Sequence, residues 1–218
     1  DVKRLYEINS RGEMMIATRH GNTPVKKGDK LAGTRIIPLV IEESKMKKAH
    51  EIGGEKPLME ILPYVHKKVG IITTGSEVFH GRKIVDDDKD AIVASIISFI
   101  EEGADIVVCT GGMSVDPDDR TPGAIKDTGA EIVTYGAPVL PGAMLLVSYY
   151  DHNGRKIPVI GLPGCVMYSK RTIFDLILPR LMADDILVKS DIDKLGQGGL
   201  CLNCEVCTYP NCGFGKGM

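Results

Sequence analysis

Apolar positions along the chain follow two periods, and the texture changes near Val69. The β-branched run Val69 to Thr74 reads as a buried strand, and so does Asp105 to Thr110. Between them Ile92, Val93, Ile96, Ile97 and Ile100 recur at helical spacing, which predicts an amphipathic helix over about 88–102, stopped by Gly103. Strand, helix and strand make a βαβ unit and imply a parallel pair. A helix over about 122–128, with Thr121 as cap and Pro122 at its first position, leads to the short strand Glu131 to Tyr135, again a βαβ step. Two apolar runs, Ala143 to Tyr150 and Ile157 to Gly161, flank Asn153-Gly154, which predicts an antiparallel hairpin at the sheet edge. A helix over about 167–182 carries Ile173, Leu176, Ile177 and Leu181 on its inner face. The alternation predicts an α/β fold, a three-layer sandwich around a mostly parallel sheet.

Residues 1–66 lack this long periodicity. Met14 to Thr18 and Arg35 to Ile41 read as strands, separated by turn chemistry at Gly21-Asn22 and Lys27-Gly28-Asp29. Thr23 to Gly33 has the pattern of a small β-barrel or hairpin edge, and the basic run Lys45 to Lys48 that of a solvated face. The expected organisation is an N-terminal β-rich subdomain over 1–66, an α/β domain over 67–190 and a cysteine-rich tail over 191–218.

Composition narrows the function classes. Hydrophobic residues at 43% and charged residues at 26% exclude disordered and collagen-like chains. The formal net charge of -2, with no basic stripe, argues against nucleic acid as the main partner. No apolar run approaches the roughly 20 residues of a membrane span, and no charged-then-apolar signal pattern opens the chain, so a cytoplasmic protein without a membrane partner is expected. Asp1 in place of Met leaves a preceding segment open.

Three loops follow apolar strands and place glycine at the strand ends: Thr73-Thr74-Gly75-Ser76-Glu77, Thr110-Gly111-Gly112-Met113-Ser114 and Gly161-Leu162-Pro163-Gly164. In open parallel sheets ligands bind at that edge, where loops diverge and helix N-termini point inward. Glycine lets a ligand approach the backbone, and hydroxyls add donors, which suits a phosphate-bearing ligand. The P-loop and dinucleotide fingerprints are absent. Acidic residues flank these loops. Asp87, Asp88 and Asp90 fit a helix cap and dipole, whereas Asp86 follows Gly81-x-x-Ile84-Val85 near the same edge. Asp116, Asp118 and Asp119 repel one another unless donors or a cation such as Mg²⁺ stand between them.

These residues resemble the molybdopterin-binding domain of molybdenum-cofactor biosynthesis proteins, which includes the molybdopterin adenylyltransferases, the molybdenum insertases and gephyrin. The resemblance spans about 67–183. It is carried by Thr74-Gly75-Ser76-Glu77, Ile84-x-Asp86, Thr110-Gly111-Gly112-x-Ser114-Val115 with Asp119, Pro141-Gly142 and Gly161-Leu162-Pro163-Gly164. Met14 to Ile41 also resembles the segment that precedes this domain in insertase-like chains. The resemblance implies a site for molybdopterin, with Asp119 and Asp86 as catalytic carboxylates holding Mg²⁺. Substrate contacts fall to Thr74, Gly75, Ser76, Glu77, Gly111, Gly112, Ser114, Pro141, Gly142, Pro163 and Gly164. It further implies adenylyl transfer from ATP to the pterin phosphate or molybdate insertion with release of AMP, in a homo-oligomer, dimer or trimer. A non-catalytic carrier or sensor of the pterin is the alternative. The sequence departs from the insertase pattern where Leu140 and Ala143 replace the lysines flanking Pro-Gly, and where Cys165 replaces the asparagine after Leu-Pro-Gly.

The tail reads Cys201-x-x-Cys204-x-x-Cys207-x-x-x-x-Cys212 among several glycines. Four thiolates at this spacing can close around zinc or an Fe–S cluster, and their softness excludes Mg²⁺ and Ca²⁺.

Overall fold

A computed structural model describes residues 1–74, 83–85, 88–113 and 119–217. By compactness the chain divides into two units, Asp1–Pro63 and Tyr64–Met218.

The first unit holds helix α1 (Val2–Asn9), strands β1 (Met14–Thr18) and β2 (Ala32–Ile36), and helix α2 (Glu43–Gly53). Its strands pair as one antiparallel ribbon, the small N-terminal β element expected, and two helices accompany it. Arg4 explains part of the helical content: its guanidinium donates to the carbonyls of Lys56 and Pro57 at 2.9 and 3.2 Å, tying α1 to the chain after α2. The second strand lies earlier than the apolar run Arg35 to Ile41 predicts. Its register ends at Met14↔Ile36, and Pro38 has no N–H for a longer ladder. Leu39 and Val40 are left exposed. On α2, Lys47 and Lys48 pair with Glu43 and Glu51, a solvated face as expected.

Among the described residues the second unit forms a six-stranded sheet in the order β4-β3-β5-β8-β7-β6. Its strands are β3 (Val69–Thr74), β4 (Lys83–Val85), β5 (Ile106–Thr110), β6 (Glu131–Tyr135), β7 (Leu146–His152) and β8 (Arg155–Leu162). β4, β3, β5 and β8 run parallel, and β7 is antiparallel to both its neighbours. Helices α3 (Lys89–Glu101) and α4 (Thr121–Asp127) join the core on one face, where Ile92, Ile96, Ile125 and Val107 are sealed from solvent. On the opposite face α5 (Ile173–Met182) and α6 (Lys189–Lys194) supply Ile173, Ile177 and Ile192 to a second core with Val108, Val147 and Ile160. Two cores on one sheet make the three-layer sandwich.

Several local expectations shift. Asp88 caps α3 by accepting from the Ala91 N–H at 3.0 Å, and Asp90 lies in the first turn. The hairpin exists, but β6 takes the sheet edge, because β6 pairs with β7 and not with β5. The β5–α4–β6 step thus passes over two strand positions that β8 and β7 later fill. β7 begins at Leu146 and not at Ala143, since 143–145 belong to a loop. The last long helix begins at Ile173 and not at Met167: Thr172 caps it in a box with Asp175, and residues 164–167 form a separate 3₁₀ turn. Thr121 is the first residue of α4 and not its cap.

Cys109 lies fully buried in β5, and burial pushes its thiol up to about 12 from an ordinary 9.0. It should resist thiol reagents at pH 8 in the native protein and react once urea unfolds the chain; labelling followed by mass mapping checks this. Because the folded-state value is the higher one, this thiol's contribution to stability is intact below pH about 9 and is lost as pH rises toward 12.

Candidate functional site

β3, β5 and β8 are parallel, so their carboxyl ends share one edge. β7 is antiparallel to β8, which brings the start of β7 and, by the pairing Tyr135↔Leu146, the end of β6 to the same edge. The loop over 136–145 therefore returns to the mouths of β5 and β8. A pocket of about 530 Å³ opens there.

Its floor is the turn after β5. Gly111 and Gly112 both have positive φ, 90° and 55°. A Cβ on Gly111 would collide with the carbonyl oxygen of Thr74 and come within 2.6 Å of its hydroxyl, so the close approach of β3 to this turn requires glycine. Thr121 secures the turn from below by donating its hydroxyl to the Gly111 carbonyl at 2.9 Å. Asp119 enters the pocket just before α4.

One wall is Leu140 to Met144. Gly142 has φ 126°, and a Cβ there would meet Ile173 Cβ at 2.7 Å, so the wall lies flat against the start of α5. The Ile173 N–H donates to the Pro141 carbonyl at 3.0 Å. The opposite wall is Pro163, Gly164 and Cys165. Burial pushes the Cys165 thiol upward, which keeps it neutral near pH 7.

Seven predicted site residues thus meet in one pocket: Gly111, Gly112, Asp119, Pro141, Gly142, Pro163 and Gly164. Thr74 is placed beneath it, buried, with its hydroxyl donating to the Thr110 carbonyl at 3.4 Å. Gly75, Ser76, Glu77, Asp86 and Ser114 lie outside the described residues. The structure adds Met113 and Met144, which no pattern in the chain singles out. Tyr135, at the end of β6 and outside the pocket lining, has its hydroxyl pushed up by burial and then by the negative charge of Asp119.

Of the tail thiols, Cys201 and Cys212 are half-buried against the second core, and Cys204 and Cys207 are exposed. All four are free thiols. Among the described residues no three His, Cys, Asp or Glu side chains are grouped closely enough to hold a metal ion. The Tyr209 N–H and then the Arg171 guanidinium bond to Cys207 and hold its thiol below the ordinary value. No helix among the described residues is long and apolar enough to cross a membrane.

A glycine-floored pocket with a carboxylate, at the carboxyl edge of a mixed α/β sheet, defines a small-ligand-binding α/β domain. Residues 77–183 match the sequence model of the family described as "Probable molybdopterin binding domain". That stretch belongs to the family: the chain carries a molybdopterin-binding domain of the molybdenum-cofactor biosynthesis proteins. Among solved structures it is similar to the tungsten cofactor synthesizing protein MoaB from Pyrococcus furiosus, at 21% identity over 53% of this chain and 88% of that one, TM-score 0.38. The molybdopterin biosynthesis enzyme MoaB from Thermus thermophilus matches at 19% identity over 57% and 98%, TM-score 0.41. CinA from Thermoplasma acidophilum, a protein of unknown function, matches at 18% over 53% and 98%, TM-score 0.37. A search of curated proteins gave no significant match.

Proposed function

We propose that this domain seats the phosphate of molybdopterin on the Gly111–Gly112 turn, and that Asp119 and Asp86 hold Mg²⁺ for phosphoryl chemistry at that phosphate. The supporting observation is the pocket in which Gly111, Gly112 and Asp119 converge. A turn whose side chains are absent exposes its backbone to an anion. Mg²⁺ is commonly bound through one or two carboxylates together with substrate phosphates, so Asp119 is the right kind of ligand, although the described residues form no three-ligand cage. When bound, Mg²⁺ supplies charge neutralisation during phosphoryl transfer. The remaining tasks fall to the chain: Thr121 keeps the turn in place, and the 140–144 and 163–165 walls enclose the pterin end.

Two reactions fit this arrangement, adenylyl transfer from ATP to the pterin phosphate and molybdate insertion with release of AMP. A second reading, a carrier that binds the pterin without turnover, is favoured by Leu140 and Ala143, which make the wall apolar where the insertase pattern places lysines. The test offers the protein molybdopterin with Mg-ATP, and separately adenylylated pterin with molybdate, and measures pyrophosphate and AMP. Asp119→Ala is expected to lower release by about 10²-fold or more, the scale of losing one charge-stabilising group, while pterin affinity changes little. Wild-type binding without release in either assay would decide for the carrier.

A further inference from the structure

The family match ends at residue 183, so the cysteine tail is outside what the domain explains. The tail is nevertheless anchored. Tyr209 donates its hydroxyl to the Asp175 carbonyl of α5 at 3.1 Å, and Phe214 is buried in the second core. Leu140 of the pocket wall donates its N–H to the Gly199 carbonyl and accepts from the Cys201 N–H, both at 2.8 Å. Cys201 therefore sits one hydrogen bond from the wall.

We propose that Cys201, Cys204, Cys207 and Cys212 form a tetrathiolate site for a thiophilic metal centre, zinc or an iron–sulfur cluster, moored to the wall of the ligand pocket. The donor set is uniformly soft: between 201 and 212 there is no His or Asp, and Glu205 is the sole carboxylate. The thiols divide into two half-buried and two exposed ones. Cys201 and Cys212 pack against the core, while Cys204 and Cys207 ride an exposed loop.

That loop is already held by cations. Lys170 donates to the carbonyls of Cys204 and Glu205 at 3.2 and 3.0 Å. Arg171 reaches Cys207 while paired with Asp175 at 2.7 Å and stacked 4.8 Å over the Tyr209 ring. A divalent ion in four thiolates leaves a net negative site, which neighbouring cations and N–H···S bonds offset, and those are the outer contacts such centres use. In the structure the four thiols stand apart. Closure thus accompanies binding, with each thiol yielding its proton, as in other sites where the metal itself orders its ligands. A disulfide between Cys204 and Cys207 is the competing outcome of the same spacing.

The test needs no pterin, so its result is independent of the proposed pterin chemistry. The full chain is purified anaerobically and assayed for zinc, iron and acid-labile sulfide, and the metal-free chain is titrated with Co²⁺. The expected results are either one zinc or one cluster per chain, and a tetrahedral thiolate–cobalt spectrum saturating at one equivalent. Cys204→Ser and Cys207→Ser, which alter exposed side chains only, should lose both, and Cys165→Ser should lose neither. Metal removal should also accelerate hydrogen exchange at the amides of Leu140 and Cys201. Substoichiometric metal that survives the serine substitutions, or a Cys204–Cys207 disulfide in the anaerobic protein, overturns the site. Unchanged exchange at Leu140 overturns its mooring to the pocket.

Discussion

Gly111→Ala should cost this protein both stability and its ligand. The new methyl would be driven into the Thr74 carbonyl, and the backbone would keep a φ of 90° that a side chain disfavours. Strain and overpacking each cost about 1–3 kcal/mol. For a domain of this size the midpoint of thermal unfolding should fall by about 2–4 °C for each kcal/mol. Relieving the collision displaces the turn that floors the pocket, so molybdopterin affinity should fall at least about tenfold, the equivalent of about 1.4 kcal/mol. Gly164→Ala is the control, because a Cβ there meets nothing within 4 Å. It should leave the unfolding midpoint nearly unchanged. Calorimetry of both variants and fluorescence titration of Gly111→Ala check these outcomes, and equal falls in the unfolding midpoint would show that the Thr74 contact is not what demands glycine.

The second large effect concerns the core under the same edge. Ile96 of α3 is fully buried against the sheet, and Ile96→Ala should cost about 2–5 kcal/mol through lost transfer energy and the cavity left behind. Ile97, the next residue, is only partly buried. Its truncation should cost less, since part of that side chain already meets water. Urea unfolding measures both. A reversal of their order would place the other face of α3 against the sheet.

Family membership was legible because the residues that carry it are clustered in short loops. Gly111-Gly112 and Pro141-Gly142 each answer a local demand, a positive φ or a close approach, and together with Pro163-Gly164 they fall in the pocket. Met113 and Met144 were not legible, because an isolated methionine beside a glycine turn looks the same whether it lines a pocket or fills a core. The place of Thr121 before Pro122 marks it as a helix cap. Its hydroxyl instead bonds to Gly111, ten residues back in the chain, a partner that local spacing cannot reveal.

Sequence periodicity by itself determined β3, β5, β6, the β7–β8 hairpin and the helices α3, α4 and α5, with some ends displaced, but not α1, α2 or α6, because a period of two or of 3.6 reports only how one element meets its immediate surroundings. It also determined the position of the Gly111–Gly112 turn at the end of β5 and of Pro163-Gly164 after β8. Tertiary structure alone decided that β6 takes the sheet edge and that β8 and β7 fill the gap beside β5. That order sends the loop after β6 back across the mouths of β5 and β8, and so makes Leu140 to Met144 a pocket wall. It also set the tail against that wall through the Leu140–Leu200 bridge. Those outcomes depend on contacts between residues far apart in sequence, whose energy is not contained in any local pattern.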